Sequence, residues 1–367
     1  MKPSVADRLA WTEADPDESA IARLVARLGE LDGLEADQTA WPDGLWSALV
    51  DAGATHWSLA REHGGLECPR TLLVERYARL ATGSLTAVFI LSQHDAAIRR
   101  LAAGSNPDAA RWLNLVGSGQ VFPTVGISHL TTSRRLGVRP VIAVETAGGY
   151  RLDGMVPWVT AAGRADVFVM AAALDDGRHF LVGVPADRAG VTVRPPFDLA
   201  ALQASGTTEV ALEGVMVGAN ELLAGPADDL AARPGAVGTA GLETSALALG
   251  QARAALAGMG LLAAERDDLS APLDSLADQW RLAWDSLMAQ ARGDAGALTA
   301  SEIRGVANSL ALRATQAYLT ARKGSGFLRS DPAQRYARQA LFFLVWSCPT
   351  PVAQSALREM AGIGAGS

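Results

Sequence analysis

The spacing of apolar residues changes twice along this chain. Up to about residue 118 it is helical: Ile21, Leu24, Leu28 and Leu31 fall on one face of a helix that begins near residue 17. Trp41-Pro42 opens a second helix, with Leu45, Leu49 and Val50 on its apolar side and an end near Gly53. Arg61-Glu62-His63-Gly64-Gly65 breaks the period as a loop, and helical spacing resumes over 71–81 and 84–102. From about 120 to 225, Val, Thr and Phe become frequent and segments shorten between Gly-containing turns. Strands are predicted over 123–128, 141–146, 150–155, 167–173, 180–184, 191–194 and 209–217. Their regular spacing predicts a small antiparallel barrel or sandwich. Past Gly225-Pro226, Ala- and Leu-rich helical segments follow near 238–266, 272–293 and 298–323, joined by short connections as in an up-and-down bundle. The chain therefore reads as α+β: an N-terminal helical domain (1–118), a central β-barrel or sandwich (119–230) and a C-terminal four-helix bundle (231–367).

Composition narrows the function classes. With 32 basic against 39 acidic residues, the 367-residue chain carries a net charge of −7, which argues against a nucleic-acid surface built on counterion release. Lysine occurs only at Lys2 and Lys323, the other basic residues being arginine, a bias that fits a GC-rich genome. Cys68 and Cys348 provide neither a disulfide framework nor a metal-ligand spacing, so a reducing cytoplasm is the expected compartment. The start of the chain is polar and acidic, unlike a signal peptide. The apolar run 245–264 is interrupted by Gln251 and Arg253, and is expected to pack in the bundle rather than span a membrane. His56, His63, His94, His129 and His179 lack metal spacing, and no metal site is expected. Dinucleotide, P-loop and nucleophile-elbow motifs are absent from the sequence.

The candidate chemistry lies in the β region. Gly148-Gly149-Tyr150-Arg151-Leu152-Asp153-Gly154, followed by Trp158-Val159-Thr160 and Ala165-Asp166, reads as two strands with a Trp and a Thr presented where the first one ends. A planar heterocycle such as flavin needs that pair: an apolar wall and a hydroxyl for a ring heteroatom. The segment resembles the Asn-Gly…Trp-Ile-Thr…Ala-Asp stretch of the acyl-CoA dehydrogenase superfamily. Other stretches fall in register with that family. Arg61 to Gly65 is similar to its Pro-Glu-x-Tyr-Gly-Gly loop, and Glu265-Arg266-Asp267-Asp268-Leu269 to its Glu-Arg-x-x-Phe-Gly. Lys323-Gly324-Ser325-Gly326-Phe327 stands for Gly-Gly-x-Gly-Phe, and Arg335-Tyr336-Ala337-Arg338 for a late Tyr-Arg-Asp-Ala segment.

The resemblance covers about residues 20–360 and implies an FAD-dependent oxidoreductase of acyl-CoA dehydrogenase fold. It further implies a small-molecule substrate, such as an acyl-CoA or acyl carrier thioester, and a cytoplasmic homodimer or homotetramer, with a hetero-oligomer as a further option. Trp158 and Thr160 would flank the flavin ring, and Ser128 with neighbouring amides would meet its pyrimidine edge, His129 being an extra group there. Arg266 would meet the FAD pyrophosphate across a subunit interface, and Gly324 and Gly326 would let the backbone pass close to the cofactor.

The chain departs from the family where α,β-dehydrogenation requires a general base. The run Trp346-Ser347-Cys348-Pro349 places Ser347 at the position of the usual Glu. Some branches carry the base on an earlier helix, near residues 240–245, where Glu243 is the carboxylate candidate and Gly241 stands near the family's substrate-positioning Arg. Glu243 also reads as a helix N-terminal charge, His129 as a structural His, and Cys348 as a small buried hydrophobe. Three functions follow: a dehydrogenase using Glu243, a catalytically inactive scaffold or partner subunit of the same fold, or a reduced-flavin-dependent monooxygenase using His129. Leu269, Ser270 and Lys323, at cofactor-motif positions, favour the scaffold.

Overall fold

The computed structural model describes residues 3–128, 141–228, 241–346, 348 and 350–363. The first third is helical: α1 (Val5–Arg8), α2 (Glu18–Glu35), α3 (Asp43–Asp51), α4 (Arg70–Gly83), α5 (Leu85–Ala102) and α6 (Pro107–Gly117). Ser84 begins α5 by accepting from Ala87 N, and Asn106 with Pro107 begins α6, so capping side chains set both starts. Helix α5 is apolar nearly all round and is buried on almost every face.

The β region forms one sheet of β1 (Pro123–Gly126), β2 (Ile142–Thr146), β3 (Gly149–Val159), β4 (Val167–Ala173), β5 (His179–Pro185), β6 (Val191–Val193), β7 (Thr208–Gly218) and β8 (Leu222–Ala227). Its order is β6-β7-β3-β2-β4-β5-β8, with β1 paired to β4. Inner-face residues of β3, β4, β5 and β7, among them Leu152, Phe168, Phe180 and Val215, share one core, so the sheet folds over on itself. The opposite side chains of β4 and β5 (Val167, Val169, Ala171, Leu181) pack against Ile98 and Leu101 of α5 and Trp112 of α6. Strand β4, covered on both faces, is correspondingly apolar at nearly every position. The expected all-antiparallel pairing is corrected: β4 runs parallel to β1 and, at Ile142↔Ala173, to β2. Alternation along a strand fixes which face is buried, not which neighbour it pairs with. Strand β8 is a further correction, since its Gly-Pro pair reads locally as a turn.

The last third contains α7 (Leu242–Ala263), α8 (Ser270–Arg292), α9 (Ala300–Arg322), α10 (Pro332–Ala340) and α11 (Thr350–Met360). Helix α7 is long and apolar enough to cross a membrane by length and composition, but it packs against α4, α8 and α9. Leu28, Tyr77 and Leu80 from the first helices share a core with Leu247, Trp280 and Leu310 from the last. Each such large apolar side chain contributes roughly 1.5–3 kcal/mol on burial. Inside it, Trp280 stacks on Trp284 and satisfies its indole N–H on Leu249 O.

Candidate functional site

The expected ring-binding residues gather where β1 and β3 end. Trp158 is 49% exposed and has φ +60°, beside a register shift between β3 and β7. A non-Gly residue at positive φ costs about 1–3 kcal/mol and persists only where its surroundings enforce it. The indole leans on Phe197, with centroids 4.9 Å apart and the rings tilted 56° to each other, and about half of its surface is exposed. Ser128 Oγ donates to Pro157 O and fastens β1 to the residue before Trp158. Thr160 is buried; its hydroxyl meets Thr207 Oγ1 at 3.2 Å, and its carbonyl accepts from Thr124 Oγ1 at 2.8 Å. Both hydroxyls are thus engaged by the protein and brace the strand end, while Trp158 faces outward. Asp166 and Asp153, prominent in the same motif, tie backbone amides: Asp166 Oδ2 accepts from Phe122 N and Asp153 Oδ1 from Gly214 N, each at 2.7 Å. His129 lies outside the described residues. A planar ring fits this place on the evidence of an exposed, braced indole at the end of a β-strand.

Glu243 occupies the first turn of α7, where its carboxylate folds back over Gly241. A Cβ at Gly241 would stand 2.1 Å from Glu243 Oε2, so a larger residue there would require the carboxylate to swing away. Glu243 Oε1 is 3.7 Å from Arg99 Nη1, the two side chains being 22% and 36% exposed. Behind Arg99, Tyr77 donates to Asp95 Oδ2, and His94 Nδ1 lies 3.0 Å from Asp95 Oδ1. Burial, and then the charge of Asp95, push the Tyr77 phenol well above its ordinary value, so it acts as a neutral donor. Burial works against the Arg99 charge, but Glu243, Tyr77 and Asp95 outweigh it and raise Arg99. Burial lowers Arg100, with Arg99 adding to the effect, to about 10. It also lowers Arg304 on α9 to about 10, against the pull of Cys348 and Glu243. Phe89 meets Phe342 and Trp346 edge-on, each at 4.8 Å, and the Arg304 guanidinium lies 6.0 Å over the Trp346 ring. Burial raises the Cys348 thiol, which keeps it protonated and disfavours it as a nucleophile. Ser347 and Pro349 lie outside the described residues.

Arg266 and the Gly324–Gly326 turn form a third place. Arg266 Nη1 donates to Ala321 O at 2.7 Å, and its other nitrogens hold Asp268. Gly324 has open space around it, whereas Gly326 packs on Arg322 Cβ and Leu319. Arg266 follows the far end of α7, about 33 Å of helix from Glu243 at 1.5 Å per residue. The structure therefore brings Trp158, Ser128 and Thr160 to one strand end and ties Arg266 to Ala321, just before the Gly324–Gly326 turn, but puts Arg266 and Glu243 at opposite ends of one helix. Phe197, Arg99, Arg100, Tyr77, Asp95 and Arg304 were missed from sequence. The available signal was the run of ionisable residues in α5, which is otherwise apolar all round.

Comparison with known proteins gives a consistent set. No family model matches the chain. A Bacillus subtilis (strain 168) protein named probable acyl-CoA dehydrogenase is 27% identical over 186 residues, 49% of each chain. The alignments span about half the length of the curated relatives. Butyryl-CoA dehydrogenase from Megasphaera elsdenii superposes with a TM-score of 0.81 at 18% identity, covering 97% of this chain and 100% of that one. Dibenzothiophene monooxygenase from Paenibacillus sp. A11-2 superposes with a TM-score of 0.75 at 20% identity, covering 94% and 96%.

Proposed function

We propose that the chain is a flavin-dependent oxidoreductase of the acyl-CoA dehydrogenase superfamily, with FAD as the flavin and a small acyl thioester as substrate, a reading supported by its similarity to acyl-CoA dehydrogenases in sequence and fold. The observation that carries this reading is Trp158, an exposed indole held at positive φ and braced by Phe197. Trp158 would form the wall of the ring site, with Ser128 and Thr160 fixing the strand end that presents it. Arg266, Gly324 and Gly326 would meet the dinucleotide arm. Their distance from Glu243 along α7 supports an arrangement in which they serve a partner subunit's site, hence a homodimer or homotetramer in the cytoplasm. When bound, the flavin supplies a two-electron acceptor. Glu243 is the general base for the α-proton of the thioester, oriented by Arg99. The aromatic group Phe89, Phe342 and Trp346 excludes water from the adjoining interface.

A second reading, reduced-flavin-dependent monooxygenation, is favoured by Ser347 at the usual base position and by Arg266, whose guanidinium is taken by Asp268. It requires neither an α-carbon base nor the dinucleotide arm. The visible absorption spectrum of the purified protein, before and after adding FAD, tests the common premise, and chromatography of released flavin separates FAD from FMN. Flavin should bind, and Trp158→Ala should weaken it about tenfold, the loss of one aromatic contact. Wild-type protein that neither carries nor takes up flavin would sink both readings and leave the scaffold.

A further inference from the structure

Glu243 and Arg99 face each other between α7 and α5 without closing. Their nearest charged atoms are 3.7 Å apart, and Arg99 Nη1 has no hydrogen-bond acceptor among the described residues. Other pairs in the molecule do close: Arg188–Glu221, Arg322–Asp331 and Arg338–Asp37 each stand at 2.6 Å. A charge-assisted contact contracts to about 2.7–2.9 Å when nothing opposes it, so Arg99 is held back. The restraint comes from its other side. Asp95 lies four residues before Arg99 in α5, a spacing that puts two side chains on one helix face. It is fully buried, as is Tyr77 of α4. Tyr77 donates to Asp95 Oδ2, and His94 Nδ1 lies 3.0 Å from Asp95 Oδ1, so this carboxylate is anchored at both oxygens. Burial opposes the Arg99 charge, while Glu243, Tyr77 and Asp95 all support it. Arg100 is turned elsewhere, its Nη1 donating to Ala96 O at 2.8 Å. Arg99 is thus shared between two carboxylates, one fixed in the core and one, Glu243, folded over Gly241 where no side chain confines it.

We propose that Asp95 and Tyr77 are positioning residues for Glu243: they hold Arg99 short of a closed ion pair and so leave the Glu243 carboxylate free to take a proton. The inference rests on the thioester reading above, in which Glu243 is the base. A carboxylate locked onto a guanidinium has its oxygens occupied by N–H donors and cannot turn to a carbon-bound proton. One with the cation near but unbonded keeps its orientation and its reach.

Crystal structures of the wild type and Asp95→Asn, with α-proton exchange of butyryl-CoA in D2O followed by NMR, are the test. In Asp95→Asn the Arg99–Glu243 separation should fall from 3.7 Å to below about 3 Å. Exchange should slow about tenfold while the butyryl-CoA concentration giving half the maximal rate stays the same, and Glu243→Gln should abolish exchange. A pair that stays open, or one that closes without slowing exchange, overturns the proposal and leaves the thioester reading standing. Wild-type protein that catalyses no exchange, or Glu243→Gln that exchanges like wild type, overturns the thioester reading instead. The separation in Asp95→Asn then decides alone whether Asp95 holds Arg99 back. If Asp95→Asn fails to fold, Tyr77→Phe decides. Without its donor, Asp95 should draw Arg99 inward and widen the separation beyond about 4 Å, the limit of an ion pair, and an unchanged separation overturns the proposal.

Discussion

Trp158 and Lys323 both carry a full side chain at positive φ, +60° and +55°, but only one has a use for it. Trp158 turns a large ring outward onto Phe197, so its strain accompanies a surface that can hold a planar ligand. Lys323 is exposed and starts the 3-10 turn Lys323–Phe327. Its charge attracts the exposed Asp268, and a solvent-screened attraction of that kind offsets little of the strain. Lys323→Gly should therefore raise stability by about 1 kcal/mol, strain relief exceeding the entropy glycine gains in the unfolded chain. The midpoint of urea unfolding reads this directly, and a midpoint that stays put or falls would show that Lys323 is not strained. Similarity to a motif could point to position 323 but not to the backbone angle that makes a lysine costly there.

Among the elements, the crossing of α4 and α7 places Glu243 against α5. Helix α7 approaches α4 so closely at Gly250 that a Cβ there would lie 2.2 Å from Ala78 O and 2.8 Å from Ala81 Cβ. A backbone carbonyl in a helix cannot rotate away, so Gly250→Ala should push the helices apart and cost about 1–3 kcal/mol. Gly305 in α9 has nothing within 4 Å of its Cβ position. There the same substitution should stabilise by up to about 1 kcal/mol through helix propensity. Thermal unfolding of the two variants should thus shift in opposite directions; a shift of the same sign would show that close approach is not what glycine serves at position 250. Helical spacing identified α7 as a helix in the sequence, but a small residue in an Ala-rich helix gives no local sign of which neighbour it touches.

Across the whole molecule, polar ties join the first helices to the last. Arg338 holds Asp37 at 2.6 Å, and Arg335 Nε lies 2.7 Å from Asp32 Oδ2 without hydrogen-bond alignment, while Ser84 Oγ donates to Asp32 Oδ1 at 2.6 Å. Burial pushes the Asp32 carboxyl up to about 6, against the pull of Arg335 and Ser84 and with a small push from Asp37. A proton is therefore held more tightly in the fold than in the unfolded chain. The stability this gives is complete below about pH 4 and is lost as pH rises through about 6, on the order of 3 kcal/mol at most. Asp32→Asn removes the titration, so the variant should gain relative to wild type between pH 4 and pH 7 in chemical denaturation. A difference independent of pH would sink this assignment.

The sequence by itself determined the order of helices, strands and helices, because burial periodicity of 3.6 or 2 is written in neighbouring residues. It also determined the strand end with Trp158 and Thr160, since a motif of consecutive residues needs no folding to be read. Tertiary structure alone decided that β4 lies parallel to β1, that the Thr160 hydroxyl turns inward to Thr207 while Trp158 turns out, and that Arg266 and Glu243 are separated by the length of α7. It alone gathered Arg99, Arg100, Glu243 and Arg304 from three helices. Pairing partners and clusters of charge depend on contacts between residues far apart in the chain, and local periodicity carries no record of those.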